Sequence, residues 1–187
     1  MPRAVALLRG INVGGHRVAM ADLRRHCEAL RLKNVATFIA SGNVIFDAAA
    51  GADLAALERR MEKHLAEALG FAAPTFIRTV DEIAIVAAAE PFSDAAPTDS
   101  LYVSFLRAAP DAAAQRAVLA LESRVDMFCF RGRELYWRCR GKISEVSIAW
   151  PKLEKLAKTA KLIDGTSRNI TSVRKLLAAM GGEKERP

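Results

Sequence analysis

The amino-acid sequence predicts an α+β protein in which two units with the same order of elements follow one another. Short runs of apolar and β-branched residues alternate with longer stretches of helical spacing along the whole chain. Residues 90–100 (EPFSDAAPTDS) interrupt this alternation with two prolines, two aspartates and two serines, which is typical of a boundary. We therefore predict one unit over residues 1–95 and a second over residues 96–187.

The first unit has the order strand, helix, strand, strand, helix, strand, which is the split βαβ or ferredoxin-like pattern. Its longest amphipathic stretch ends at Gly70, where a helix-capping glycine belongs. Ser41, Gly42 and Asn43 indicate a turn between two strands. The predicted strands are residues 3–8, 35–39, 44–46 and 75–78, and the predicted helices are residues 20–30, 53–69 and 80–89.

The pattern begins again after residue 100, so we predict a second ferredoxin-like unit. Gly132 and Arg133 separate two β-rich runs and indicate a hairpin, and Pro151 favours a helix directly after it. The two units share no visible residue-level repeat and agree in element order alone. The predicted strands are residues 101–106, 127–131, 134–140 and 165–169, and the predicted helices are residues 111–121, 152–161 and 171–180.

The charge of the chain is unevenly distributed. The 187 residues include 28 Lys and Arg against 21 Asp and Glu, a net charge of +7. Residues 1–95 hold 11 basic and 11 acidic residues, whereas residues 96–187 hold 17 and 10. This excess is compatible with an acidic partner of the second half, but an ordinary solvated basic surface explains it at least as well.

Composition argues against several classes of protein. The longest uninterrupted apolar run, residues 83–89, is far too short to cross a membrane, and no export signal is visible. The three cysteines, Cys27, Cys129 and Cys139, are odd in number and widely spaced, which argues against a disulfide framework and a zinc site. We expect reduced thiols, a cytoplasmic location, no membrane association, and neither a metal nor a cofactor.

Three motifs resemble those of a known bacterial family, the domain of unknown function 1697. They are ALLRGINVGG at residues 6–15, SGNVIF at residues 41–46 and GTSRNITSVRKL at residues 165–176, with EPF at residues 90–92 as a weaker marker. The resemblance spans nearly the whole chain and implies an α+β fold of two linked subdomains. It implies no reaction, because none is established for the family. Relatives often carry an aromatic residue in place of Ile170 and a lysine-rich stretch in place of residues 16–19.

The glycine-rich loop of the first motif is a candidate anion site. Gly10, Gly14 and Gly15 lie between a predicted strand and a predicted helix, where backbone N–H groups can face a phosphate. Arg9 can add a bidentate contact. The loop has neither the lysine of a P-loop nor the spacing of the dinucleotide fingerprint, so a tight turn is the favoured alternative.

Other polar residues of the motifs fall at predicted loops or element ends. If they converge where the two units meet, they form a ligand cleft together with the glycine loop. Taken singly, each is better explained as a cap or turn residue; Thr171, for example, suits the N-cap of the last helix. The predicted ligand-binding residues are Arg9, Gly10, Asn12, Gly14, Gly15, His16, Ser41, Asn43, Arg168, Asn169 and Thr171.

The hairpin of the second unit is a second candidate surface. Alternation places Phe128, Phe130, Leu135 and Trp137 on a core face. The opposite face interleaves arginines with a tyrosine, as in a surface for phosphates and stacked bases or, more commonly, a solvated strand. Residues 41–46 lack the pattern of an RNA-recognition motif. The predicted basic surface comprises Arg131, Tyr136, Arg138, Arg140, Lys152, Lys155, Lys158 and Lys161.

No catalytic motif is present in the sequence. His26 and Cys27 are neighbours on a predicted helix and point about 100° apart, so they form no dyad. His16 is the candidate acid or base, although a lone loop histidine is usually a surface residue. We favour a binding module for a phosphate-bearing or other anionic small molecule. The alternatives are an enzyme of unrecognised type, an interaction or assembly protein, and a nonspecific nucleic-acid binder; the sequence does not set the oligomeric state.

Overall fold

The computed structural model describes residues 2–141 and 164–181, which belong to two compact units. The first unit comprises the residues up to Ala87 together with those from Val173 onward, and the second comprises Ala88–Ser172. The division therefore precedes residues 90–100, which the sequence assigned to the boundary. The last helix, which the sequence placed wholly in the second unit, is divided between the two.

The first unit contains a four-stranded antiparallel sheet in the order β2-β3-β1-β4. The central strand β1 pairs with β3, where Val5 lies opposite Ile45, and with β4, where Val5 lies opposite Arg78. Its elements are β1 (Arg3–Leu8), α1 (Met20–Ala29), β2 (Lys33–Phe38), β3 (Asn43–Asp47), α2 (Leu54–Leu69), β4 (Thr75–Thr79) and α3 (Val80–Ala88).

Alternation along β1 divides the core of this unit between the two faces of the sheet. Ala4, Ala6 and Leu8 pack in one cluster with residues of α1 and α2, including Leu23 and Met61. The helix α2 begins at the Asp53 cap, whose side chain accepts a 2.9 Å bond from the amide of Ala56, and ends at Gly70 with φ +76°. The opposite face is buried as well and carries Val5, Leu7, Ile45 and Phe76.

The second unit repeats the arrangement, with a four-stranded antiparallel sheet in the order β6-β7-β5-β8. Its core cluster joins Val118 of the helix to Leu106 and Trp137 of the sheet. The predicted helix at residues 152–161 lies outside the described residues. The described elements are β5 (Ser100–Leu106), α4 (Ala112–Leu119), β6 (Asp126–Arg131), β7 (Glu134–Cys139), β8 (Gly165–Asn169) and α5 (Ile170–Gly181).

Glutamates cover the amides of two edge strands. Glu58 and Glu62, one turn apart on α2, accept bonds from the amides of Ile77 (2.6 Å) and Thr75 (2.8 Å) on β4. Glu122 does the same for β6. Because an edge strand with unpaired amides can pair with another chain, these carboxylates protect both sheets from such pairing. Among the described residues, no helix is both long and apolar enough to cross a membrane.

Candidate functional site

The loop between β1 and α1 is exposed at its tip. Gly14 and Gly15 are exposed, and a Cβ on either residue would meet no atom within 4 Å. Within residues 2–141 and 164–181, none of the backbone hydrogen bonds outside helices and strands uses the amide of Gly14 or Gly15. The tip therefore offers accessible backbone N–H groups.

Asn12 closes the base of this loop. Its Nδ2 donates to the carbonyl of Ala40 at 2.9 Å and to that of Val18 at 3.3 Å, while its Oδ1 accepts from the amide of Val18 at 2.8 Å. The side chain thus joins the loop to the β2–β3 turn and to its own far end. These contacts give Asn12 a turn-closing role.

The first two motifs are in direct contact. The amide of Leu8 donates to the carbonyl of Gly42 at 2.8 Å. A Cβ on Gly42 would lie 2.9 Å from the Cβ of Ile11 and 3.1 Å from that of Leu8, and its φ is +74°. Glycine is therefore required here by both close packing and backbone conformation.

Asn43 and Ser41 hold the β2–β3 turn. The side chain of Asn43 is buried, and its Nδ2 donates to the carbonyl of Phe38 at 3.0 Å and to the Oγ of Ser41 at 2.9 Å. Both residues thus stabilise the turn, which is the alternative role that the sequence analysis gave them. Their binding of a ligand stays a prediction.

Arg9 and His16 stand at the two ends of the glycine-rich stretch and contact the same connection between α2 and β4. The backbone of Arg9 donates to the carbonyl of Pro74 at 2.9 Å, and its guanidinium lies 5.7 Å from the ring centre of Phe76. The imidazole of His16 stacks on Phe71, with ring centres 4.0 Å apart. The connection therefore contacts the backbone of Arg9 and the imidazole of His16, and the side chains of both residues are exposed.

The remaining predicted ligand residues lie in the second unit. Arg168 donates to the Oγ1 of Thr166 at 2.8 Å, and burial lowers the pKa of its guanidinium to about 10. The helix α5 begins directly after β8, and the Oδ1 of Asn169 accepts from the amide of Thr171 at 2.8 Å. Asn169, and not Thr171, therefore caps the last helix. The predicted cleft, which needs residues of both units, stays a prediction.

The predicted core face of the hairpin is correct. Phe128, Leu135 and Trp137 belong to the core cluster of the second unit, and the partly buried Phe130 packs against it. Two members of the predicted basic surface, however, are not surface residues. Tyr136 is 1 % exposed and Arg138 is 0 % exposed, and burial raises the pKa of the Tyr136 hydroxyl to about 12.

Residues 90–99, which we call the acidic strap, contact the arginines of this face, of which Arg138 is buried and Arg140 is exposed. The Asp94 carboxylate accepts from Arg138 at 2.6 and 3.2 Å and from Arg140 at 3.3 Å. The ring centre of Phe92 lies 5.3 Å from the guanidinium of Arg138. Arg131 remains exposed and donates to the carbonyl of Glu90 at 3.2 Å. The predicted lysines at 152, 155, 158 and 161 lie outside the described residues.

The described side chains include no group of three or more residues that could hold a metal ion. All three cysteines are free thiols. Burial raises the pKa of Cys27 to about 12 and that of Cys139 to about 11, so neither is an activated nucleophile at neutral pH.

The model of one protein family matches residues 1–136 of the sequence; its description is "protein of unknown function (DUF1697)". The chain belongs to this family. None of the curated proteins matches the sequence. The solved structure of the conserved bacterial protein SP0830 from Streptococcus pneumoniae resembles this chain with a TM-score of 0.73 and 22 % sequence identity. The similarity covers 97 % of this chain and 99 % of that one, and it supports the same α+β fold.

The matched region contains the glycine-rich loop, the β2–β3 turn and the acidic strap. Sequence reasoning identified the first two but treated the strap as a linker. Charge was the signal in the sequence that could have identified the strap contact. Asp94 and Asp99 precede a hairpin with three arginines on one face. Any of these arginines that is buried requires an anionic partner.

Proposed function

We propose that this protein, whose family has no established function, binds a phosphate-bearing or other anionic small molecule through the loop between β1 and α1. The observation that carries the proposal is the placement of Arg9 and His16. The backbone of Arg9 and the imidazole of His16 contact the α2–β4 connection, and the exposed Gly14 and Gly15 lie between these two residues in the chain. Guanidinium, imidazole and free backbone amides are the donors that bind phosphate oxygens in proteins.

The start of α1 supports the same ligand class. Ala19 precedes the helix and supplies no side-chain hydrogen bond to its first amides. Such amides and the helix dipole favour a nearby anion. Asp22, the acidic residue of the first turn, is paired with Arg25 at 3.0 Å. This ion pair reduces the electrostatic repulsion between Asp22 and a bound anion. Arg17, which sequence reasoning did not include in the site, is exposed in the same loop.

Thermal unfolding of the full chain with inorganic phosphate, nucleotides and a short oligonucleotide, at low and moderate salt, tests this proposal. A ligand at about 100 times its Kd stabilises the fold by about 2.7 kcal/mol. Arg9→Ala removes a charge-assisted contact worth about 1.5–3 kcal/mol, so we expect roughly 10- to 100-fold weaker binding. Arg59→Ala, which removes an exposed arginine of α2, is the matched control.

The outcomes separate the alternatives. A shift that survives moderate salt and disappears in Arg9→Ala and His16→Ala supports the loop site. A shift with oligonucleotides alone that salt abolishes indicates nonspecific electrostatic binding. The absence of any shift would contradict the proposal and leave the loop as a turn. Turnover of a bound ligand, lost in His16→Ala, would identify an enzyme.

We also propose that the two units are ferredoxin-like units in tandem. The strand orders β2-β3-β1-β4 and β6-β7-β5-β8, with every neighbouring pair antiparallel, support this assignment. The three free cysteines support a cytoplasmic location. Nucleic-acid binding through the hairpin is less favoured, because Tyr136 and Arg138 are buried.

A further inference from the structure

The arginine pair of the second unit has an unusual partner. The side chain of Arg138 is 0 % exposed, whereas that of Asp94, which neutralises it, is 58 % exposed. A buried guanidinium needs a paired acid, because an unpaired buried charge is costly. Here the acid comes from the acidic strap, which contains neither helix nor strand and whose residues 93–98 are all exposed.

The Asp94 carboxylate contacts both arginines, and Glu90 and Phe92 of the strap also contact the hairpin. Asp94 receives two hydrogen bonds from Arg138 and one from Arg140. Asp99, which is mostly buried, lies 3.8 Å from the Nε of Arg138. That Nε is itself buried and makes no hydrogen bond within the described residues. The arginine pair thus binds a solvent-accessible carboxylate, and the buried Nε of Arg138 has Asp99 nearby as an ion-pair partner but makes no hydrogen bond within the described residues.

We propose that Arg138 and Arg140 form an anion-binding site whose ligand position is occupied by the Asp94 carboxylate, and that a phosphoryl group replaces Asp94 and releases the acidic strap. A phosphoryl group carries more charge than a carboxylate and has three acceptor oxygens, enough to bond both guanidinium groups at once. Because Asp94 is exposed, an incoming ligand can reach the position without opening the core. This site belongs to the second unit and does not depend on the loop of the first.

Isothermal titration of the 187-residue chain with inorganic phosphate tests the first half of this proposal. Asp94→Ala removes the carboxylate that competes with phosphate for the two arginines. If Asp94 occupies the site in about nine molecules of ten, only about one molecule in ten can bind phosphate, so we expect about tenfold tighter phosphate binding in Asp94→Ala than in the parent chain. The double substitution Asp94→Ala with Arg140→Ala is expected to lose the gain. Glu67→Ala, which removes one exposed negative charge elsewhere, controls for net charge.

All four proteins are compared in an Arg9→Ala background, so that the loop of the first unit cannot account for the result. Asp94→Asn, which keeps one acceptor oxygen for Arg138, replaces Asp94→Ala if the latter fails to fold. Phosphate binding that is no tighter in either variant than in the parent chain would overturn the proposal. So would a gain that persists after Arg140→Ala.

Hydrogen–deuterium exchange of the parent chain tests the release of the strap. The amide of Ala96 is held by the Asp99 carboxylate at 3.0 Å, and the amide of Asp99 by the carbonyl of Ala96 at 2.9 Å. Saturating phosphate is expected to accelerate exchange across residues 90–99 and to leave that of α2 unchanged. Unchanged exchange in the strap at saturating phosphate would show that phosphate does not displace Asp94 and would sink the proposal.

Discussion

The two units use matching backbone registers. Leu8 lies opposite Thr75 in the first sheet as Leu106 lies opposite Gly165 in the second. Under this correspondence Arg9 matches Arg107; the amide of each donates at 2.9 Å to the carbonyl that precedes the paired strand, Pro74 in one unit and Asp164 in the other. Arg78 and Arg168 also match, since each lies opposite a valine of the central strand.

The units differ in how they neutralise charge at one matched position. Asp47 on β3 lies opposite Arg3, and its carboxylate is 3.6 Å from that guanidinium. The matching residue of β7 is Arg138, which lies opposite Leu101. The second sheet therefore has no acid–base pair between neighbouring strands at this position. Arg138 is paired instead with Asp94 and Asp99, which lie outside the sheet.

The largest expected effect tests whether the two cores contribute alike. Leu8 and Leu106 occupy matched positions, and both are buried in the cluster between sheet and helices. Leu8→Ala and Leu106→Ala should each lower the free energy of unfolding by about 2–5 kcal/mol through lost burial and a residual cavity. Urea unfolding measures this loss, with Ile85→Ala (71 % exposed) as the control expected to stay within about 0.5 kcal/mol.

Fluorescence can separate the two effects, because both tryptophans of the chain, Trp137 and Trp150, fall between residues 88 and 172. Circular dichroism follows both units. A Leu8→Ala loss seen equally by both probes indicates cooperative unfolding. A loss of less than 1 kcal/mol at either leucine would contradict the matched-core interpretation.

A smaller effect on the free energy of unfolding is expected at a matched position where the two units carry different residues. Thr75 carries a side chain, but a Cβ on its counterpart Gly165 would lie 2.6 Å from the Cδ2 of Leu106 and 2.8 Å from the carbonyl oxygen of Phe105. Gly165→Ala should therefore cost about 1–3 kcal/mol through overpacking. Thermal or urea unfolding checks this value. Thr75→Ala, the matched control, loses a 3.0 Å bond to the carbonyl of Ala73, worth about 1 kcal/mol. A neutral Gly165→Ala would show that backbone movement accommodates the methyl group.

Local patterns were sufficient to predict the described helices and strands and the core face of the hairpin. Alternation placed Phe128 and Trp137 in the core, and Gly70 marked the end of α2, because each signal acts within a few residues. The contact between Ile11 and Gly42 could not be predicted this way, since nothing local specifies which turn packs on the glycine-rich loop.

The contact of the acidic strap with the arginines could not be predicted from the sequence, for a different physical reason. A segment rich in proline, aspartate and serine has the composition of a linker whether it is solvated or bound to arginines. Asp94 and Arg138 are separated by 44 residues, and alternation along β7 predicted only that Arg138 shares a face with Tyr136. The strap contacts of Arg138 come from residues distant in sequence, so local alternation could not predict its burial.

The smallest expected effect concerns the pH dependence of this strap contact. The hydrogen bond from Arg138 lowers the pKa of the Asp94 carboxyl below its ordinary value of 3.8. A carboxyl with a lowered pKa in the folded state contributes stability above its unfolded pKa and loses that contribution as pH falls through the folded pKa. Asp94→Asn should therefore lower the Tm at pH 6, and by less than either core substitution, because Asp94 is exposed and its ion pair is screened by solvent.

The difference in Tm between the parent chain and Asp94→Asn should stay constant from pH 7 to about pH 5 and shrink below about pH 4, where the carboxyl gains a proton. Added salt should reduce the difference at pH 6, since an exposed ion pair is screened. Glu67→Gln serves as the control for the loss of one exposed charge. A difference that is independent of pH down to pH 2 would mean that the charge of Asp94 does not hold the strap. Asp99 alone would then neutralise Arg138 in the second unit. The comparison with the Arg3–Asp47 pair of the first unit would then concern Asp99 instead of Asp94.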